Sequence, residues 1–476
     1  MSTSTISVSF LESQLPPEWK GSDLRGQINQ INQSRNKKII VLDDDPTGVQ
    51  TVHDIDVLTQ WDKELLREAF NNPEKVFYIL TNTRAYQAAE AERINREIAQ
   101  NVQAVASETG IGFVFVSRGD STLRGYYPLE TDTLTDEIRR MTGLEYDGHL
   151  IIPAFFEAGR MTYHGTHYLK EGDALLPVHE TEFARDKVFG YAHSDLTQWV
   201  AEKTDGRIKP EDCVVITLEQ VRRGPDAVEE MLLQVKGNVP VIVDCLSYAD
   251  LDVLSFALLQ AENKGKKFIF RTAASFVKSY GGIADQDILP KEKLVAKGQE
   301  SHGGLVVVGS HVQKTTRQLE QLLAGTNIIS LEMDVNKILN PAEKAEESKR
   351  LINQVNEHIA RGQNVVVFSS RKLVAVQTSD GNLNISQTVS ESLVKIVSSL
   401  DIVPKFIIAK GGITSSDVAT KGLGIRKARV IGQAAAGIPV WLTGEEAKFS
   451  GIPYIVFPGN VGSDTTLLET VLKIEG

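Results

Sequence analysis

The run Asp43-Asp44-Asp45-Pro46-Thr47-Gly48 places adjacent carboxylates directly after the apolar stretch that Lys37 and Lys38 open. Neighbouring acids repel one another, so packing alone would not select them. A short apolar run bounded by proline and glycine fits a central strand of a parallel sheet. In open α/β sheets ligands bind beyond the carboxyl ends of the strands. This strand end is therefore the first candidate for chemistry, and its acids admit more than one enzyme.

Other strand ends carry cations and hydroxyls. Arg84 follows an apolar run in Thr81-Asn82-Thr83-Arg84. After Phe113–Val116 comes Ser117-Arg118-Gly119-Asp120-Ser121-Thr122-Leu123-Arg124-Gly125, dense in groups that bind anions and alcohols. Arginine forks carboxylates bidentately, and aspartate accepts from hydroxyls. Arg160 sits beside Gly159 in the stretch after Pro153, which also holds His164 and His167. Any one of these arginines could make an ordinary surface ion pair. Their recurrence just after strands favours a shared pocket for a small oxygenated anion.

The second half has a different signature. Phe406–Lys410 runs into Gly411-Gly412-Ile413-Thr414-Ser415-Ser416-Asp417, read as strand, glycine turn and a helix opened by hydroxyl caps. Glycines let a backbone approach phosphate, and a helix N-terminus offers free N–H groups. Gly309-Ser310-His311 and Gly459-Asn460-Val461-Gly462 repeat the arrangement. One such turn is weak evidence; several on one sheet edge point to a nucleotide or polyphosphate. None matches the P-loop pattern.

The elements that must carry these loops alternate. Apolar runs recur at Ile39–Leu42, Val76–Leu80, Gly112–Val116, His149–Pro153, Val214–Leu218, Val241–Cys245 and Phe268–Phe270. They restart at Gly303–Gly309 and continue through Ile328–Leu331, Val365–Phe368, Phe406–Ala409, Val440–Leu442 and Tyr454–Phe457. Between them lie amphipathic stretches such as Ala85–Ala106, with Ala88, Ala91, Ile94, Ile98 and Val102 at helical spacing. The expected class is α/β, with two α/β/α domains built on mostly parallel sheets. A polar N-terminal arm is expected over residues 1–35, a first domain over 36–295 and a second over 300–476.

Composition bounds the function. At 476 residues the chain exceeds one ordinary core. A formal net charge of −11 without a dense basic run argues against nucleic acid or an anionic membrane as partner. Cys213 and Cys245 are the only cysteines, and neither a signal sequence nor a membrane-length apolar run is visible. A reduced, cytoplasmic setting is expected, with self-association left open.

Two families resemble parts of this pattern. Asp43-x-Asp45-x-Thr47 is similar to the start of haloacid dehalogenase-like phosphohydrolases, with Asp43 as nucleophile and Asp45 as acid–base. That family needs a further Asp-Asp pair, or Gly-Asp with another Asp shortly after it, to hold Mg²⁺; this chain has no other Asp-Asp, and Asp120 and Asp173 lack the follow-up acid, so this is the alternative reading. The whole chain more closely resembles the four-carbon acid sugar kinases. Their Asp-Asp-x-Thr-Gly looks like Asp44–Gly48, their Asp-Ser-Thr-Leu-Arg-Gly like Asp120–Gly125, and their Pro-Ala-x-x-x-x-Gly-Arg like Pro153–Arg160. Their Gly-Gly-x-Thr resembles Gly411–Thr414, and their terminal glycine-Asn loop Gly459–Gly462. Asp43 stands where the family usually has alanine.

By that resemblance the first domain binds an acid sugar such as threonate, erythronate or a 3-oxo-tetronate, and the second binds ATP with Mg²⁺. Arg84, Arg124 or Arg160 would meet the substrate carboxylate, with Ser121 and Thr122 beside it. Asp120 would hold hydroxyls, and Asp44 or Asp45 would act as base at the 4-hydroxyl. Ser310, Gly411, Gly412, Ile413, Thr414, Gly459, Asn460 and Gly462 would hold the nucleotide, in a cleft between the domains. No side chain is assigned to the metal; Asp417 is expected either to hold it indirectly or to cap its helix.

Overall fold

The computed structural model describes residues 6–371 and 379–476. It divides into two compact units, Met1–Val52 with Gln60–Asp285, and His53–Thr59 with Gln286–Gly476.

The first unit is built on parallel strands β1 (Lys37–Asp43), β2 (Val76–Leu80), β3 (Gly112–Arg118), β4 (Gly148–Ile152), β5 (Val214–Ile216), β6 (Val239–Val243) and β7 (Phe268–Thr272). Their order across the sheet is β5-β6-β4-β7-β3-β1-β2. Strands such as Val76–Leu80 and Phe268–Thr272 are buried along their whole length, which is why they read as continuous apolar runs rather than alternating ones. Helix Ala88–Thr109 buries Ala91, Ile94, Ile98 and Val102, the residues whose spacing announced it, and stops at Gly110 in the left-handed conformation.

Register fixes what meets at the carboxyl edge. Asp43 lies opposite Leu80 on one side and Arg118 on the other. Arg118 in turn lies opposite Thr272. The triple aspartate, the Arg84 turn, the Asp120 loop and the end of β7 therefore leave the sheet side by side.

Two parts of this unit depart from expectation. The N-terminal segment is no simple polar arm. Helix Leu24–Ser34 buries Leu24 and Ile28, Asn32 donates to the Tyr280 carbonyl at 2.7 Å, and Arg25 pairs with Asp252 at 2.7 Å. Its apolar stripe is thin and diluted by Asn and Gln, so composition masked it. A small antiparallel sheet, Ile6–Ser7, Ala174–Pro177, Thr166–Glu171 and Arg160–Tyr163, was also unforeseen.

The second unit carries β8 (Leu305–Val308), β9 (Ile329–Met333), β10 (Val365–Ser369), β11 (Ile407–Lys410), β12 (Lys427–Ala435), β13 (Ile438–Thr443) and β14 (Pro453–Phe457). Strands β14-β11-β8-β10-β9 are parallel, and β12 and β13 continue the sheet antiparallel, with Ile55–Leu58 at its edge. Strand β12 alternates half-buried and buried residues. Its small and polar residues hid that period in the sequence. Val308 pairs with Lys410, and Lys410 with Phe457. The next residues of all three strands open the glycine turns, so those turns are neighbours. Among the described residues no helix is long and apolar enough to cross a membrane.

Candidate functional site

At the carboxyl edge of the first unit four aspartates are interleaved with four arginines. Arg84, carried on the 3-10 turn Thr83–Ala85, places Nε 3.0 Å from Asp44 Oδ2, Nη2 2.6 Å from Asp45 Oδ2 and Nη1 3.6 Å from Asp120 Oδ1. Arg118 Nη1 lies 3.3 Å from Asp43 Oδ1 and 4.0 Å from Asp44 Oδ1. Arg124 Nε donates to Asp120 Oδ2 at 2.8 Å, and Thr122 Oγ1 donates to the same oxygen. Buried Arg271 donates to the carbonyls of Arg124 and Thr272 at 3.0 and 2.9 Å. Arg84, Arg118 and Arg124 each lie within 4.0 Å of at least one aspartate, so the like charges of the sequence become an alternating lattice.

Glycines are required where this lattice is tightest. A Cβ on Gly48 would stand 1.9 Å from Asp43 Oδ2, and one on Gly119 would stand 2.3 Å from Arg271 Nη1. Gly125 has φ of +114°, and a Cβ on it would stand 3.1 Å from Asp44 Oδ2.

The acids are not equivalent. Burial pushes Asp43 up to about 8 despite Arg118, and burial also raises Asp44, against the pull of Arg84. Burial works against Asp45 too, but Arg84 and the hydrogen bonds from Thr47, 2.8 Å from its N–H and 2.5 Å from Oγ1, outweigh it and hold Asp45 low. Asp120 is half-buried and held far below the usual carboxylate range by Arg124 and Arg84. The Asp44 side chain is 2% exposed and that of Asp45 23%, so Asp45 is the acid of this pair presented to a ligand.

The remaining expected residues divide. Ser121 and Thr122 are buried, and their carbonyls accept from His167 Nε2 at 2.8 Å and Tyr191 OH at 2.7 Å. His167 is fully buried and pushed down to about 4 by burial, which makes it a neutral strut. His164 is exposed beside Glu219 at 3.7 Å. Arg124 and Arg160 place their guanidinium carbons 5.1 and 5.9 Å from the Phe183 ring centroid. Arg160 donates to the Ala158 carbonyl and has no carboxylate within ion-pair distance among the described residues, and its buried Nε has no partner. Sequence reasoning set Arg84 against a ligand carboxylate, whereas the structure sets it among aspartates. Arg118 was read only as part of the anion-binding stretch Ser117–Gly125, and Arg271 was missed; both close apolar strands, the signal already used for Arg84. Phe183 lies in the short 3-10 helix Glu182–Arg185 and gave no signal.

The phosphohydrolase alternative loses ground here. Its nucleophile, Asp43, is buried and paired with Arg118. Among the described residues no group of three or more His, Cys, Asp or Glu side chains is placed to share a metal ion.

The second unit brings Gly309, Ser310, Gly411, Thr414 and Gly459 together. A Cβ on Gly309 would meet Thr414 Oγ1 at 2.3 Å, and one on Gly459 would meet Ser310 Oγ at 3.2 Å. Gly411, with φ of +117°, would meet Ser310 Cβ at 2.9 Å. Thr315 Oγ1 donates to the Gly459 carbonyl at 2.9 Å, and Lys314 Nζ to that of Gly462 at 2.9 Å. Ile413 is exposed at the opening of helix Gly412–Asp417. No hydroxyl caps that helix; Gly411 is its N-cap, and Ser415 Oγ donates back to the Ala409 carbonyl at 2.6 Å. Asp417 closes rather than opens the helix, accepting from Ser390 Oγ at 2.5 Å and pairing with Lys421 at 2.8 Å. Asn460 stands in the loop between Gly459 and Gly462.

Two cations here escaped sequence reasoning. Lys410 is fully buried, donates to the Pro458 carbonyl at 2.9 Å, lies 4.2 Å from the Phe457 ring centroid, and is pushed down to about 7 by burial and then by Lys314. Arg371 donates to the Ser310 carbonyl at 2.8 Å and to Thr316 Oγ1 at 2.7 Å.

An acid–arginine edge on one α/β unit and a glycine-lined edge on another define a sugar-binding, nucleotide-binding pair. Residues 39–280 match the profile of a sugar-binding N-terminal domain, and residues 305–467 that of a nucleotide-binding C-terminal domain. The chain belongs to the four-carbon acid sugar kinase family. It is 27% identical over 286 residues to a D-erythronate kinase of Heliobacterium modesticaldum, an overlap of 60% of this chain and 58% of that protein's length. Its fold is shared with a Salmonella typhimurium LT2 protein provisionally described as a tRNA synthase, at TM-score 0.67 and 18% identity, covering 92% of this chain and 98% of that one. A Haemophilus influenzae protein of the family designated DUF1537 gives TM-score 0.64 and 19% identity over 91% and 99% of the two chains. The α/β architecture with mostly parallel sheets is thereby shared as well as observed.

Proposed function

We propose that this protein is an ATP-dependent kinase that phosphorylates a four-carbon acid sugar, of the erythronate, threonate or 3-oxo-tetronate type, on its terminal 4-hydroxyl. The observation that carries this reading is that the first unit holds both a presented, ionised Asp45 at its carboxyl edge and, within the influence of Asp120, an Arg160 with no carboxylate at ion-pair distance among the described residues. A pure anion binder gains nothing from carboxylates there, whereas a kinase acting on a hydroxy acid needs both charges.

Arg160, with Arg124 beside it on Phe183, receives the substrate carboxylate. Asp120 accepts from a substrate hydroxyl. Asp45 orients the 4-hydroxyl and takes its proton as its oxygen bonds to the γ-phosphorus of ATP and the bond from that phosphorus to the β,γ-bridging oxygen breaks, releasing ADP, the base role used in phosphoryl transfer. Asp44 acts through Arg84, which it fixes against Asp45. Ser310, Gly411, Gly412, Ile413, Thr414, Gly459, Asn460 and Gly462 form the nucleotide cradle, with Arg371 as a cation beside Ser310. Mg²⁺ enters with ATP, held largely by phosphate oxygens and water, and no side chain of this chain is assigned to it.

The test is release of ADP from ATP and Mg²⁺ against a panel of tetronates, with the product's phosphorus resonance read by NMR. A kinase consumes ATP only when the right acid is present and yields a 4-phosphate ester. Phosphate release from a tetronate 4-phosphate in the absence of ATP would instead restore the phosphohydrolase reading, and turnover of neither would leave a sensor.

A further inference from the structure

At the opposite, amino edge of the first unit's sheet lies a cavity of about 520 Å³, within the range of small-molecule sites. Its apolar wall includes Ala106, Ile111, Phe113, Ile138, Leu144 and Phe268. It accounts for an oddity of β3. The first residues of that strand, Gly112–Val114, are only half-buried, although the strand is central to the sheet. Two apolar side chains are left uncovered in a place where neighbouring strands are sealed.

The rim is basic. Lys37 and Lys267 both line the cavity, and among the described residues neither has a carboxylate within ion-pair distance. The local acids are already engaged. Glu262 is held by Arg35 and accepts from Tyr280 OH at 2.5 Å, and Asp147 pairs with Lys266 at 3.1 Å. Lys37 is half-buried, and its ammonium carries a desolvation cost that Glu262, also in the cavity lining, offsets only in part, while Arg35 and Lys267 add to it. Lys37 opens the strand that ends at Asp43, so this cavity lies ~20 Å from the catalytic edge at strand rise.

We propose that this cavity is a second ligand site, taking an organic monocarboxylate with an aromatic or branched apolar body. Its carboxylate would pair with Lys37 and Lys267, and its body would cover Phe113 and Phe268. This assignment does not depend on the kinase reading, since no residue is shared.

The test titrates the full chain by calorimetry with 4-phenylbutyrate, its neutral amide and acetate. The expected result is one saturable site for phenylbutyrate, at least tenfold weaker binding of the amide, and none of acetate. The double variant Lys37→Gln/Lys267→Gln loses at least tenfold in affinity, while Arg160→Met leaves it unchanged. The lysines also lie near the C-terminal ends of helices Ala88–Thr109 and Leu129–Thr142, whose dipoles they could merely complement. That lesser role would lower the melting temperature of the double variant without touching probe affinity, and would overturn the proposal. Equal binding of acid and amide, or loss of binding in Arg160→Met instead, would overturn it equally.

Discussion

On the proposed reading, the two sheet edges hold anions in opposite ways. The first uses side chains, with aspartates and arginines so interleaved that each fixes the next. The second uses backbone, with Gly309 and Gly411 packed so closely that an added Cβ would stand 2.3 Å from Thr414 Oγ1 and 2.9 Å from Ser310 Cβ. A sugar acid differs from its isomers by where hydroxyls point, so its site must read direction, which charged and forked groups do well. A polyphosphate is the same in every nucleotide, so a cradle of N–H groups suffices. The difference teaches that specificity should be lost by small changes at the first edge, and nucleotide affinity by changes at the second.

The largest expected effect breaks the comparison at Asp45. Asp45→Asn keeps shape and removes the base, so kcat should fall by roughly 10²–10⁴-fold. Binding of a fluorescent ATP analogue should stay within about twofold, since that affinity belongs to the other edge. A variant that kept more than a tenth of its activity would return the base role to Asp44.

Arg160 comes next. Removing a charged hydrogen-bonding partner costs about 1.5–3 kcal/mol, so Arg160→Met should raise KM for the acid sugar roughly 10- to 100-fold with kcat little changed. Steady-state kinetics with varied sugar at saturating ATP read this directly. A fall in kcat with unchanged KM would mean that Arg160 serves the transferred phosphoryl group instead.

At the glycine edge, Gly411→Ala adds a Cβ at φ of +117°, 2.9 Å from Ser310 Cβ. Strain of this kind is worth about 1–3 kcal/mol, so KM for ATP should rise roughly tenfold. The KM for the sugar should not move. If both constants rose together, the division of labour between the edges would fail.

The edges differed in how legible they were. Loops after strands betrayed Asp44, Asp45, Arg84 and Asp120, because acids and arginines there have no packing purpose. Which arginine was left over for a ligand could not be read, because pairing depends on register between β1, β3 and β7. Arg84 is spent on aspartates and Arg160 is not, and spacing carries no trace of that. Parallel strands were plain as unbroken apolar runs, whereas β12 and helix Leu24–Ser34 were hidden by small and polar residues on alternating or thin faces. Lys410 was hidden for the opposite reason. A lysine after an apolar strand reads as surface, and only the turn it bonds shows it buried.

The smallest effect sharpens the contrast, because each edge buries one charge at a cost of opposite sign. Asp43 titrates at about 8 when folded, so between the ordinary carboxylate value and pH 8 the folded chain holds a proton that the unfolded chain has lost. Its burial therefore weakens the fold increasingly as pH rises through that window. Lys410 titrates at about 7 when folded, so from pH 7 up to the ordinary lysine value the unfolded chain holds the extra proton. Its burial weakens the fold most at or below pH 7, and the penalty fades as pH rises. Asp43→Asn should thus gain melting temperature over the parent as pH goes from 5 to 8, and Lys410→Met should gain most at pH 6 and less at pH 9. Each kcal/mol corresponds to roughly 2–4 °C in a unit of this size, so scanning fluorimetry across pH resolves both slopes. Slopes of the same sign would mean that one of these groups is not buried in its unfavoured state.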